Sequence, residues 1–349
     1  MPETPKHPFA AVMHHRLAWP LVTLLLLLMV NAAFNGNFLH VEWRDGHLYG
    51  SLVDILNRAA PLALVSLGMT LVIATRGIDI SVGAVVAIAG AVAAWMIGGA
   101  VLGNVSRFPM PLAILAAVAV ALLCGLWNGL LVGWVGMQPI VATLILMVAG
   151  RGIAQLVTGG QIITIYYSPF FFLGGGYLAG LPFSLFIVAV VFTLLYLAIT
   201  RTALGLFIQA VGINPTAARV AGVQARRLIV GAYGFCGLCA GIAGLLICSN
   251  VKSADGNNAG QLLELDAILA VTLGGTSLMG GRFSLVGSVI GALIIQTLTY
   301  SIYSLGVPPE INLVVKAVVV FLVMLLQSPE FRAAVGVLVR RPAPGEVRP

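Results

Sequence analysis

The long charge-free runs are the feature that most constrains this chain. Residues 108–150 are 43 positions without Asp, Glu, Lys or Arg, and residues 152–200 are uncharged as well. About 20 apolar residues in a helix cross the hydrocarbon core of a bilayer, so the first run must hold two crossings. Charged residues make up only 8% of the chain, whereas about 25% is ordinary in soluble domains. The sequence therefore predicts an all-α, polytopic integral membrane protein, and it excludes a soluble enzyme, a disordered chain and a nucleic-acid-binding domain.

Breaks in the apolar runs divide the chain into about ten predicted transmembrane helices. Pro139 begins the fifth, because proline fits the first turn of a helix, and glycine clusters near residues 159 and 175 separate the fifth from the sixth. We expect tails at 1–16 and 328–349 around a transmembrane domain at 17–327. The predicted spans lie in residues 17–34, 59–75, 80–106, 108–150 (two spans), 152–200 (the end of the fifth, a loop and the sixth), 228–251, 267–279, 283–305 and 311–327.

The basic residues predict the orientation of these spans. Ten spans place both termini on one side, and cytoplasmic segments of membrane proteins carry an excess of Lys and Arg. With the termini inside, twelve basic residues lie in inner segments and four in outer segments. The bias predicts two cytoplasmic tails. The inner residues are Lys6, Arg16, Arg76, Arg201, Arg219, Arg226, Arg227, Arg282, Arg332, Arg340, Arg341 and Arg348, and the outer ones are Arg44, Arg58, Arg107 and Lys252.

Glycines at a spacing of four residues predict close helix packing. They recur at Gly125, Gly129 and Gly133, and again at Gly237 with Gly241. Small residues at i and i+4 let helix backbones approach each other, which is a main source of packing energy in lipid. The four cysteines lie inside apolar runs, where we expect them to pack as small apolar side chains.

Several kinds of chemistry lack their residues in this sequence. All five histidines precede residue 48, so a histidine-based metal site within the membrane is excluded and no metal ligands are predicted. No G-x4-G-K-[ST] loop occurs, so the chain cannot bind ATP in the P-loop manner. No two carboxylates lie together within a predicted span. We therefore predict no catalytic residues and no enzymatic activity.

The longest inner loop, residues 201–227, contains a short capped helix. Asn214 can cap its N-terminus, Pro215 suits its first position and Gly222 suits its C-terminal stop. The predicted helix at 215–221 has about two turns and is marginal alone in water. It needs a surface to rest on, and the residues leave two surfaces open: a groove on a partner protein or the lipid interface.

Four blocks of sequence resemble bacterial ABC sugar permeases of the ribose type. The first reads Gly-Ile-Asp-Ile-Ser-Val-Gly, with Ile80 in place of the usual leucine. The blocks follow in the family's order and cover most of residues 54–327. They are residues 77–83, 142–152, 210–223 and 274–282. Finer features at 43–46, 55–61, 254–268 and 308–312 resemble the galactofuranose permease branch of that family.

The resemblance implies a transport subunit of the bacterial inner membrane that carries a monosaccharide, expected to be galactofuranose. It implies three protein partners: a second permease chain, identical or homologous, a periplasmic sugar-binding protein, and a cytoplasmic ATPase that holds ATP and Mg²⁺. No cofactor in this chain and no nucleic-acid partner are expected. By the same resemblance the inner helix contacts the ATPase, through Asn214, Pro215, Ala217, Ala218, Arg219 and Gly222.

Polar residues within the spans are candidates for the transport pathway. An arginine near a helix centre costs about 2.5–3.5 kcal/mol on insertion scales, so Arg151 should face protein or water. Gln155 lies one turn further on the same face, and Thr158 continues the stripe. Arg151 has structural alternatives: pairing with a carbonyl or with Asp266, or snorkelling outward. The other candidates lie in the family motifs: Asp79, Ser81, Thr276 and Ser277.

Two other functions stay open from the residues alone. An ion-coupled secondary transporter usually needs acids near mid-membrane, and here we expect the acids to lie near span ends. A membrane enzyme acting on a lipid-linked sugar would need an acid pair or a metal cluster, which the sequence does not indicate.

Overall fold

The computed structural model describes residues 17–44, 46–98, 106–306 and 308–327, and most of these are helical. The predicted tails at 1–16 and 328–349 lie outside the described residues. The helices are α1 (Ala18–Phe34), α2 (Ser51–Ala74), α3 (Val82–Ile97), α4 (Met110–Leu130), α5 (Pro139–Thr158), α6 (Ser168–Gly175), α7 (Phe183–Arg201), α8 (Leu204–Ile213), α9 (Pro215–Val220), α10 (Ala225–Val251), α11 (Leu263–Leu273), α12 (Leu285–Ser304) and α13 (Pro309–Gln327). A π-helical turn, Leu131–Val135, extends α4.

Three short antiparallel strand pairs correct the all-α prediction in detail. They join loops and build no larger sheet among the described residues. Their lengths of two or three residues leave the fold a helical bundle. The pairs are β1 (Glu42–Arg44) with β2 (His47–Tyr49), β3 (Ile163–Thr164) with β6 (Ser253–Ala254), and β4 (Tyr177–Leu178) with β5 (Leu181–Pro182).

Helix α10 lies at the centre of the bundle and packs on α2, α3 and α4. Glycines permit the close approach, as their spacing predicts: a Cβ on Gly237 would lie 2.5 Å from the backbone oxygen of Ala121, and one on Gly125 would overlap the backbone oxygen of Tyr233. Cys236 is buried where Gly68 of α2 meets α10, and a Cβ on Gly68 would lie 2.7 Å from the Cα of Cys236. The prediction of close glycine packing is confirmed.

The eighth predicted span, residues 267–279, differs from the helix observed there, which is α11. Its eleven residues reach about 16 Å, roughly half the thickness of the hydrocarbon core. The chain then turns at Gly274, and Gly275, Gly280 and Gly281 take positive φ angles of 85°, 82° and 81°. Those angles favour glycine and end the helix well before residue 279, where the span was expected to end.

Helices α3 and α11 both begin inside the bundle, where their first turns meet. A Cβ on Gly83 of α3 would overlap the Glu264 carboxylate of α11 and the Gly260 backbone oxygen. The first turns of the two helices are therefore in direct contact.

Six helices of the described residues are long and apolar enough to cross a membrane: α2, α4 with its extension, α5, α7, α10 and α12. Shorter apolar helices are α1, α3, α8 and residues 313–322 of α13. The polytopic prediction is supported, while the count of ten and the side of the termini stay predictions.

Candidate functional site

The short helix α9 has the capped form that its sequence predicts. The Asn214 side-chain oxygen accepts hydrogen bonds from the backbone N–H groups of Thr216 and Ala217, each at 3.0 Å. Pro215 is the first helical residue, and the helix ends at Val220, one residue before the predicted end. Gly222 follows with φ +86° and open space around it.

One face of α9 is attached to the rest of the chain and the other is open. Ala218 is buried in a small cluster with Val211 and Ala225. Its side chain therefore anchors the helix to this chain, while its expected contact with a partner stays a prediction. Ala217 and Arg219 are exposed, and the Val220 side chain is 86% exposed.

The end of α8, just before α9, is packed between the end of α2 and the glycine turn after α11. A Cβ on Gly212 would overlap the backbone oxygen of Ala74 and the backbone nitrogen of Gly281. Arg76 donates to the backbone oxygens of Ile213 at 2.5 Å and Met279 at 3.2 Å. A force on α9 would therefore reach the end of α2 and the glycine turn after α11 directly.

Thr276 and Ser277 fold that glycine turn. The Thr276 hydroxyl accepts from the Ser284 backbone N–H at 3.2 Å, and the Ser277 hydroxyl accepts from the Met279 backbone N–H at 3.2 Å. Both hydroxyls thus have local partners, and Thr276 is buried. Their contacts describe a turn beside α8, and their expected place in the transport pathway stays a prediction.

Asp79 and Ser81 form a buried polar cluster between the end of α2 and the start of α3. Asp79 is 2% exposed, and its Oδ1 accepts from the Ser81 backbone N–H at 2.9 Å and the Ser81 hydroxyl at 2.6 Å. Asn128 of α4 donates to the Ser81 hydroxyl at 2.8 Å. The cluster links the turn between α2 and α3 to α4, and the expected place of Asp79 and Ser81 in the transport pathway stays a prediction.

Arg151 and Gln155 hold the loop between β6 and α11. Arg151 donates to the backbone oxygens of Asn257 at 3.3 Å and Ala259 at 2.5 Å, and the Gln155 amide donates to Asn257 Oδ1 at 2.5 Å. Pairing with carbonyls was one of the predicted alternatives for Arg151. The other candidate partner, Asp266, instead forms an ion pair with Lys316 at 2.6 Å.

Asp255 shapes the same loop from within. Its carboxylate accepts from the backbone N–H groups of Asn257 and Asn258 and from the Asn258 side chain. Partial burial acts to raise the pKa of Asp255, but these hydrogen bonds and the nearby Arg151 charge outweigh it and lower the pKa. The loop therefore keeps an ionised carboxylate beside the Arg151 guanidinium.

The face of α5 that carries Gln155 is not covered by this chain. Gly152 and Gln155 are exposed, and a Cβ on Gly152 would meet nothing within 4 Å. Thr158 differs from the predicted stripe, since it is buried and its hydroxyl donates to the Gln155 backbone oxygen at 3.1 Å. The structure thus groups Arg151 with Gln155 on one loop, whereas the Thr158 side chain is buried.

Glu264 is the second residue of α11, which agrees with the expectation that the acids lie near span ends. Its burial was not predicted: Glu264 is 3% exposed, and its Oε2 has no hydrogen-bond partner within the described part of the chain. Asn128 and Tyr233 were also missed. Asn128 is one of two amide residues inside the charge-free run 108–150, the other being Gln138, and a polar side chain in such a run is the signal that could have indicated it.

Comparison with known proteins identifies relatives along nearly the whole chain. Residues 51–324 match the family described as branched-chain amino acid transport system / permease component. The galactofuranose transporter permease protein YtfT of Escherichia coli K12 is 52% identical, over 90% of this chain and 92% of its own. The fructose import permease protein FruF of Bifidobacterium longum is 39% identical, over 90% and 88%. The ribose import permease protein RbsC of Escherichia coli K12 is 35% identical, over 88% and 92%. No solved structure matches.

Proposed function

The chain belongs to this family of transport permeases, and on that premise we propose that it is a permease subunit of a binding-protein-dependent ABC importer for galactofuranose. The relative named for galactofuranose shares 52% of its residues over nine-tenths of this chain, and this observation carries the choice of sugar. The relatives named for fructose and ribose share 39% and 35%.

The proposed setting is the bacterial inner membrane, with ten crossings and both termini in the cytoplasm. The excess of basic residues in the inner segments supports this orientation, and six long apolar helices support a multi-pass protein. In this orientation α9 lies on the cytoplasmic side and the loop at 255–260 lies towards the periplasm.

ATP hydrolysis takes place on a partner in this proposal. The sequence has no P-loop, so a separate cytoplasmic ATPase holds ATP and Mg²⁺, and this chain needs no cofactor or catalytic residue of its own. Helix α9 docks on that ATPase with its exposed face, which includes Ala217, Arg219 and Val220. The wedged Gly212 and the Arg76 hydrogen bonds then pass its displacement to α2 and to the turn after α11.

The sugar passes along the uncovered face of α5. Exposed amide and guanidinium groups are costly against lipid, so the side bearing Gln155 and part of Arg151 faces water and a second permease chain. Few polar groups line this face, which suits a pathway that must release its sugar. A periplasmic binding protein delivers the sugar at the outer end.

The direct test is transport by the complete complex in proteoliposomes. The chain is reconstituted with its proposed partners, an ATPase, a second permease chain and a binding protein, and uptake of labelled galactofuranose is measured. We expect uptake only with ATP, with competition by unlabelled galactofuranose and little competition by fructose or ribose. Equal competition by all three sugars would contradict the choice of substrate.

A second experiment with an uncoupler distinguishes ATP-driven uptake from ion-coupled uptake. The buried carboxyl groups of Asp79 and Glu264 are the observation that would favour ion coupling. An uncoupler that collapses ion gradients while ATP persists should leave uptake unchanged. Uptake that stops under these conditions would overturn the ATP-driven mechanism.

A further inference from the structure

Two cavities meet at Arg227, near the N-terminal end of α10. The first has a volume of about 410 Å³ and is lined by Trp134 and by the arginines at 219, 226 and 227. The second has a volume of about 460 Å³ and lies between α2, α7, α8 and α10. Arg227 is the one charged residue of the second cavity, whose lining includes Leu71, Leu195, Leu204, Ile208, Leu228 and Phe235. A basic pocket and an apolar groove therefore share one lining residue, Arg227.

The positive charge of the first cavity is not balanced by an ion pair among the described residues. None of the ion pairs formed by the described residues involves Arg219, Arg226 or Arg227. Arg226 instead lies over the Trp134 ring, 5.7 Å from its centroid. Guanidinium groups bind phosphate by paired hydrogen bonds, so this pocket is complementary to a phosphate group.

The groove is open and faces the apolar perimeter of the bundle. A Cβ on Gly231, which lines it, would meet nothing within 4 Å. Leu194, which also lines the groove, is 64% exposed. An apolar chain entering from the membrane would therefore find free space beside Arg227.

We propose that the two cavities together bind one anionic phospholipid, with its phosphate on Arg226 and Arg227 and an acyl chain in the groove. Charge complementarity selects the head group, and the continuous apolar groove favours a lipid over free phosphate or an acidic protein surface. Basic pockets beside transmembrane helices bind anionic head groups in this manner. Because Leu204 and Ile208 of α8 line the groove, the bound lipid braces the segment that leads into α9.

The test measures lipid retained by the full-length purified chain. Native mass spectrometry counts bound phosphatidylglycerol and phosphatidylcholine after exchange into detergent, and thermal unfolding is followed with each lipid or with inorganic phosphate. The double variant Arg226→Gln/Arg227→Gln removes the phosphate contacts. Gly231→Leu fills the groove and leaves the charges in place. Arg201→Gln is the matched control, an exposed arginine at the end of α7 that lines neither cavity.

We expect the wild-type chain and Arg201→Gln to retain phosphatidylglycerol in preference to phosphatidylcholine and to unfold at a higher temperature with it. The double variant should bind phosphatidylglycerol more weakly by on the order of tenfold, and Gly231→Leu should also lose it. Inorganic phosphate should not stabilise the chain.

Three results would overturn the proposal. One is equal retention of both lipids by the wild-type chain. Another is stabilisation by inorganic phosphate that equals that by phosphatidylglycerol. The third is a double variant that keeps its phosphatidylglycerol and loses only its assembly with the ATPase, which would make the arginines a protein contact. None of these outcomes depends on which sugar the complex transports.

Discussion

Helices α5 and α7 are both apolar and long enough to cross a membrane, but their exposed sides differ. Of an 18-residue apolar stretch in each helix, only 28% is buried within this chain in α5 and 11% in α7. Helix α5 exposes Gln155 and part of Arg151, whereas residues 183–200 of α7 contain no charged or amide side chain. Apolar content alone would assign both helices to lipid. The polar groups on one uncovered face distinguish them.

The difference in exposed polar groups indicates that α5 and α7 face different surroundings. The exposed valine, leucine and tyrosine side chains of α7 suit acyl chains. The amide and glycine surface of α5 suits water, sugar hydroxyls and a second permease chain. The following predictions examine that distinction, starting with the largest effect.

The buried side of α5 should be intolerant of bulk. Ala154 is fully buried in a cluster with Ala87, Ile88 and Ala91, so Ala154→Trp has no space for its ring. Overpacking of this kind costs about 1–3 kcal/mol or more. We expect little folded protein by size-exclusion chromatography of the detergent extract. A monodisperse, active Ala154→Trp variant would show that this face is not packed as described.

Arg151→Gln should weaken the outer loop without removing the fold. It removes a charged donor that holds two backbone oxygens, and hydrogen bonds to charged groups contribute about 1.5–3 kcal/mol. We expect several-fold slower sugar uptake and faster proteolysis within residues 255–260. Unchanged proteolysis and uptake would contradict the role of Arg151 in holding this loop. Arg58→Gln, at an exposed ion pair with Asp54, is the matched control and should change uptake little.

Asn214→Ala should loosen α9 and partly uncouple transport from ATP hydrolysis. Loss of an N-cap costs about 1 kcal/mol, and the two backbone N–H groups that Asn214 caps would lose their acceptor. We expect sugar-stimulated ATPase activity of the reconstituted complex to fall about two- to five-fold, with sugar binding by the binding protein unchanged. Asn214→Asp keeps the acceptor and should restore coupling. An alanine variant that couples as well as the aspartate variant would contradict the capping account.

Local signals in the sequence predicted the local parts of this structure. The start of α5 at Pro139, the Asn214 cap and the glycine contacts of α4 with α10 follow from turn residues, capping chemistry and i, i+4 spacing. Each depends on residues that are close in sequence or on one repeated spacing, and the sequence shows these directly.

Contacts between distant residues were not predictable in this way. Helix α11 ends at Leu273 because its glycine turn packs on α2 and α8, and Glu264 is buried because α11 begins against Gly83. Ala218 turns inward because Val211 and Ala225 form a pocket for it. One helical face of α9 cannot be distinguished from the other without knowledge of those neighbours.

The measurement that tests the central claim most directly compares one bulky substitution on each exposed helix face. Gly152→Trp places an indole on the uncovered face of α5, and Val190→Trp places one on the exposed face of α7. ATP-driven sugar uptake is measured in proteoliposomes that contain equal amounts of assembled complex. We predict that Gly152→Trp loses most uptake while basal ATPase activity persists, and that Val190→Trp transports at close to the wild-type rate. Normal uptake by the Gly152→Trp complex would contradict a pathway along α5.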